Sequence, residues 1–230
     1  SKAEEIAEKL DRLLEENRRA LEEITTRLDD LLRRNKDALR DHMVLHEYVN
    51  AAGITGGIRE ELLKRIADVI RDIMRLLKEL HDHTAEVIKT IKKLLKELHD
   101  INKEIIERLK RLKDGNVPKE ELLKRVEELV RTSARLTTEV LKTVEKLIRD
   151  DKRLSEEILK RVKELIEELK RGVDSERVKE ILERILRVVE EAVRLNEESL
   201  RRILDVVRKA VKLDRESLKK ILDVVEEAVR

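Results

Sequence analysis

Leu76-Leu77-Lys78-Glu79-Leu80-His81-Asp82 returns, letter for letter, as Leu94-Leu95-Lys96-Glu97-Leu98-His99-Asp100. The step is eighteen residues. Five turns of an untwisted α-helix take about 18 residues, so each side chain comes back on the same face. The step recurs along the chain. Leu123-Lys124-Arg125-Val126 is followed by Leu141-Lys142-Thr143-Val144 and Leu159-Lys160-Arg161-Val162. Val188-Val189, Val206-Val207 and Val224-Val225 keep the same interval. Leu10-Asp11-Arg12-Leu13-Leu14-Glu15-Glu16-Asn17 is answered by Leu28-Asp29-Asp30-Leu31-Leu32-Arg33-Arg34-Asn35. No turn residue interrupts these runs, which separates them from solenoid repeats, where each repeat carries its own turn.

Helix breakers fall in three places: Gly53, Gly56 and Gly57; Gly115 and Pro118; Gly172. Glycine accepts the left-handed conformation that closes a helix, and proline suits a first turn. Asp174 is placed as an N-cap. The breakers predict four helices, at about 2–53, 58–113, 118–171 and 174–230, each roughly 80 Å long. The expectation is an all-α fold, one domain over 1–230. It is a single-chain antiparallel up-down-up-down four-helix bundle with long, nearly straight helices.

The composition excludes much. Charged residues make up 46% of the 230 and nearly cancel, to a net +2. A nucleic-acid surface would show a basic face with stacking aromatics, and Tyr48 is the lone aromatic. Without cysteine there is no disulfide or thiol chemistry. No apolar run reaches the length of a membrane span, and Ser1-Lys2-Ala3-Glu4-Glu5 does not read as a signal peptide. The expectation is a protein with no natural address, no membrane partner and no cofactor. The Glu–Lys and Glu–Arg pairs read as solvated helix faces supported by i, i+4 attraction. No nucleophile, phosphate loop or pocket accompanies them, so no enzyme is expected.

Ten polar residues interrupt the apolar stripes: Asn17, Asn35, His81, Thr84, His99, Asn102, Ser133, Asp151, Asn196 and Asp214. Reflecting each helix through the loop that follows it places Asn17, His99, Ser133 and Asp214 at one height. Asn35, His81, Asp151 and Asn196 share a second. Two buried hydrogen-bond layers are expected, each fixing register because a slipped alignment strands polar groups at about 1–3 kcal/mol apiece. His81 and His99 read as network members; a pH response through their protonation is the alternative. His42 and His46 have metal-ligand spacing but no carboxylate companions, and no metal is expected.

One stretch breaks the pattern. A third copy of the first helix's repeat would begin at 46. Instead the chain reads Arg40-Asp41-His42-Met43-Val44-Leu45-His46-Glu47-Tyr48-Val49-Asn50-Ala51-Ala52-Gly53-Ile54-Thr55. These sixteen residues resemble, over their whole length, the eleventh strand of split green fluorescent protein. The resemblance implies a partner, the ten-stranded remainder that this strand completes. It also implies a β-strand in that complex, with Met43, Leu45, Glu47 and Val49 on one face. The helical frame implies something else here. Leu45 and Ala52 continue the sevenfold series of Leu10, Ile24, Leu31 and Ala38, and Val49 that of Leu14, Leu21 and Leu28. In a helix Leu45, Val49 and Ala52 would face inward and complete the bundle. If the helix stopped at Leu39, Leu62, Ile66, Val69, Leu159, Leu165, Ile181 and Val188 would line an open groove. Residues 40–52 are therefore expected to be helical.

The same side chains cannot serve both states, so pairing with the barrel requires the segment to leave the bundle. The long helices, polar layers and embedded peptide are similar to the LOCKR class of designed cage-and-latch bundles. There a latch helix holds a peptide until a key helix displaces it. The resemblance implies a designed monomer, a caged strand and a key-helix partner. It departs in placing the payload on the N-terminal helix rather than the C-terminal one. Three alternatives remain: a detection tag in a loop, a test of forcing a β sequence into a helix, and a pH-responsive bundle.

Overall fold

The structure is a computed structural model and describes residues 2–41, 60–111 and 119–229. The chain is all-α. Its helices are α1 (Lys2–Asp41), α2 (Glu60–Lys110), α3 (Lys119–Arg171) and α4 (Glu176–Val229). Among the described residues there is no strand. The expected helix over 42–53 and the glycines and proline at 53, 56, 57, 115 and 118 lie outside the described residues.

The one loop described is Gly172–Ser175, and its hydrogen bonds follow from end chemistry. Gly172 N–H donates to the Leu169 carbonyl and Val173 N–H to that of Lys170, both at 3.2 Å. These satisfy carbonyls that α3 leaves without helical partners. On the other side the Ser175 carbonyl accepts from Lys179 N–H at 3.1 Å. That makes Ser175 the N-cap residue of α4, one place later than Asp174, because its carbonyl takes the first helical bond.

The described helices divide into two compact units. The first holds residues 1–29, 88–146 and 203–230, so each of the four helices contributes a piece. Ile105 and Ile106 of α2 pack with Val126 and Val130 of α3 and Leu218, Ile221 and Val224 of α4. From α1, Ile24 and Leu28 are buried. Asp11 pairs with Lys110, and Asp29 with Lys92. Moving up α1 by one repeat moves down α2 by one repeat, so the two helices run antiparallel.

The second unit, 30–87 and 147–202, also takes a piece of every helix. Its core is Ile66, Ile70, Ile73, Leu77 and Leu80 of α2, Ile158, Val162, Ile166 and Leu169 of α3, and Val178, Leu182, Ile185 and Val189 of α4. Val173 of the loop joins them. Isoleucine and valine dominate, and their stiff side chains fill such layers at little rotamer cost. Of the seven residues predicted to line a groove, Ile66 is buried. Leu62, Val69, Leu159, Leu165, Ile181 and Val188 are half-buried.

Candidate functional site

Each unit holds one buried polar network, built where the apolar stripes of three helices carry a hydroxyl, an amide and a carboxyl together. In the second unit the centre is Asp151 on α3, fully buried. A carboxylate accepts and never donates, and here it takes three donors. The Thr84 hydroxyl of α2 lies 2.7 Å from Oδ2, Nδ2 of Asn196 on α4 lies 2.9 Å from Oδ1, and Nδ1 of His83 lies 2.8 Å from Oδ2. The last contact requires the His83 tautomer with its proton on Nδ1. Beside this centre the Ser155 hydroxyl donates to the Lys152 carbonyl at 2.7 Å and reaches Glu197 Oε1 at 3.3 Å.

In the first unit the carboxyl sits on α4, at Asp214. Asn102 Nδ2 of α2 donates to its Oδ1, and the Thr137 hydroxyl of α3 lies 2.7 Å from its Oδ2. The Ser133 hydroxyl donates to Asn102 Oδ1 at 3.3 Å, closing the set. Burial pushes the Asp214 carboxyl above its ordinary range. The hydrogen bonds from Thr137 and Asn102 and the nearby Arg215 offset part of that rise.

Alongside this network, α1 meets α4 at Asn17. The Ser217 hydroxyl donates to Asn17 Oδ1 at 2.9 Å. The other end of that amide, Nδ2, is buried with no hydrogen-bond partner among the described residues. It borders a cavity of about 40 Å³ between α1, α2 and α4, lined by Asn17, Ala20, Leu21, His99, Asn102 and Asp214 among others. Ala20 and Ala210 are the short side chains among those that line it. Such a volume holds one or a few waters. Leu213, 43% exposed, also lines it and is the exposed large apolar side chain among the described residues. Desolvation holds the half-buried His99 below the ordinary imidazole range.

Six of the ten polar residues are thus brought into networks: Ser133, Asp151, Asn196 and Asp214, which are among the eight expected in layers, and Thr84 and Asn102, which are outside those eight. Asn17 meets Ser217 beside the first network. His99 lines the cavity, and His81 is half-buried one turn before Thr84. The Asn35 side chain lies outside the described residues. Five participants are not among the ten: His83, Thr137, Ser155, Glu197 and Ser217. Thr137 and Ser155 stand eighteen apart, so the repeat itself carries their signal.

Of the payload stretch, Arg40 and Asp41 continue α1 as helix. Residues 42–55, with His42 and His46, lie outside the described residues. Among the described residues no group of three His, Asp or Glu is placed to hold a metal ion. Among them, too, no helix is long and apolar enough to cross a membrane. Comparison of the chain with protein-family models, curated proteins and solved structures finds no match.

Proposed function

We propose that the chain is a designed, non-catalytic helical cage for the eleventh strand of split green fluorescent protein. The strand occupies 40–55, and release lets it complete the ten-stranded fragment as a switch or sensor. The observation that carries this reading is the sixteen-residue sequence itself, set into the register of the first helix. Arg40 and Asp41, its first two residues, are helical at the end of α1, which supports a helical resting state. The regular eighteen-residue repeat, the balanced charge and the lack of Cys, Phe and Trp support a designed origin. The buried networks suit a cage, since directional bonds favour one packed state over near alternatives.

The test is kinetic. The intact chain and a free peptide of residues 40–55 are each mixed with the ten-stranded fragment at equal concentration, and fluorescence gain is followed. A caged strand is captured only from the open state, so the chain reacts more slowly than the peptide. Equal initial rates would mean that the stretch is a freely accessible tag.

A further inference from the structure

The described residues that line the cavity beside Asn17 all belong to the first unit. Its walls are apolar: Leu21 and Ile24 of α1, Leu95 and Leu98 of α2, Ala210 and Leu213 of α4. Its polar end is Asn17, His99, Asn102 and Asp214. Asn102 and Asp214 are engaged with each other and with Ser133 and Thr137. Asn17 is engaged at one end. Its Oδ1 accepts from Ser217, while Nδ2 is buried with no hydrogen-bond partner among the described residues. A buried donor left without an acceptor is destabilising, so the cavity favours an occupant that brings one.

Water alone fits this site poorly. A volume of about 40 Å³ has room for two or three molecules at roughly 10–15 Å³ each. One can accept from Asn17, and the others face leucine and isoleucine. Water held by so few polar groups is readily displaced by an apolar one. The acceptor must be neutral. Among the described residues no lysine or arginine lines the cavity to balance an anion, and the Asp214 carboxyl would stand against it. The occupant must also be small, because the volume is about a quarter of the roughly 150 Å³ that encloses benzene. Leu213, 43% exposed, gives the cavity a side that meets water, where a ligand enters.

We propose that this cavity is a binding site for a short-chain alcohol of about two or three carbons. The hydroxyl oxygen accepts from Asn17 Nδ2. The hydroxyl proton has an acceptor within the same lining. Desolvation holds His99 below the ordinary imidazole range, so at neutral pH its ring is uncharged and one nitrogen accepts. The alkyl group takes the place of water against Leu21, Leu95 and Leu98. The inference does not rest on the fluorescent-protein reading.

The full-length chain, labelled at its leucine, isoleucine and valine methyls, is titrated with 2-propanol and followed by NMR. The methyl shifts of Leu21, Ile24, Leu95 and Leu98 should saturate, with half-saturation on the order of 10 mM, the range that about four heavy atoms allow. Those of Ile73 and Val189, in the core of the second unit, should not. Ala210→Leu fills the cavity and should abolish the saturable shift. Asn17→Val removes the donor and should raise half-saturation about tenfold, the factor of one lost hydrogen bond. The methyls of the second unit report whether each variant is folded. Shifts that rise linearly with alcohol, or alike in both units, overturn the proposal. So does a folded Asn17→Val with an unchanged midpoint.

Discussion

The Thr84 hydroxyl lies 2.7 Å from Asp151 Oδ2, and two further acceptors stand within its reach: Asn196 Oδ1 and the Leu80 carbonyl, each at 3.0 Å. A hydroxyl has one proton to give. The shortest contact decides its direction. Asp151 is thus the acceptor on which the side chains of α2 and α4 converge.

Removing that acceptor alone is the costly change. Asp151→Leu takes the acceptor from the Asn196 amide and turns the Thr84 hydroxyl to Asn196 Oδ1 or the Leu80 carbonyl, at about 1–3 kcal/mol in all. The melting temperature should fall by several degrees. Replacing Thr84, Asp151 and Asn196 together with apolar residues of similar size should keep or raise it. Paired thermal melts of the two variants check this. A triple variant that melts lower than Asp151→Leu would refute the acceptor argument.

The cavity predicts a stabilising substitution. Asn17→Leu removes the buried Nδ2 that has no partner and fills part of the space beside Leu21 and Leu98. It gives up the Ser217 bond, but Ser217 is half-buried and can turn to water. A net gain of about 1 kcal/mol is expected, read as a higher denaturant midpoint with unchanged slope.

Two titrations pull in opposite directions. Asp214 has its folded pKa raised above the ordinary 3.8, chiefly by burial, so the folded state binds the extra proton. Its contribution to stability is present below 3.8 and is lost as pH rises through the raised value. His99 has its folded pKa lowered from 6.5, chiefly by desolvation, so stability is lost as pH falls below 6.5. Asp214→Asn should flatten the loss on the rising side. His99→Gln should flatten the loss on the falling side. Denaturant midpoints of the parent and both variants across this range give the slopes.

Opening of the proposed cage should follow burial on α1. Leu28 is fully buried and Leu21 half-buried. Leu28→Asp puts an unpaired charge in a dry site, and Leu21→Asp leaves its charge partly wet. Both leave 40–55 untouched. Each should speed capture by the ten-stranded fragment, Leu28→Asp by at least about tenfold, the factor that roughly 1.4 kcal/mol gives for a rapid pre-equilibrium. Leu21→Asp should have the smaller effect. Initial rates of fluorescence gain at one fragment concentration rank them.

The helices are legible in the sequence because two independent signals agree: the repeat sets their faces, and glycine sets the end of α3. The networks are half legible. Reflection through a loop gives a residue's height, which picks out Ser133, Asp151, Asn196 and Asp214. It says nothing of direction around the helix. Height alone therefore sets His81 and His99 in the layers where Thr84 and Asn102, three residues further on, bond. One helical turn separates the two answers in height, and the side chain's bearing decides between them. His83 is hidden for the same reason, since its imidazole enters the network from the half-exposed edge of α2.

The same eighteen-residue step that makes the sequence easy to read makes it easy to misalign, because sliding one helix by a full repeat restores its leucines and valines to equivalent places. The carboxyls answer that ambiguity because they stand on different helices. One stands on α3 at Asp151 and the other on α4 at Asp214, and Asp214 is one repeat beyond Asn196. Were α4 displaced by one step, Asp214 would arrive where Asn196 belongs and confront Asp151. Two carboxylates at bonding distance cannot both stay ionised. Displaced the opposite way, Asn196 would arrive where Asp214 belongs and meet Asn102 and Thr137 with no acid between them. A chain nearly periodic in its grease is thereby made aperiodic in its protons.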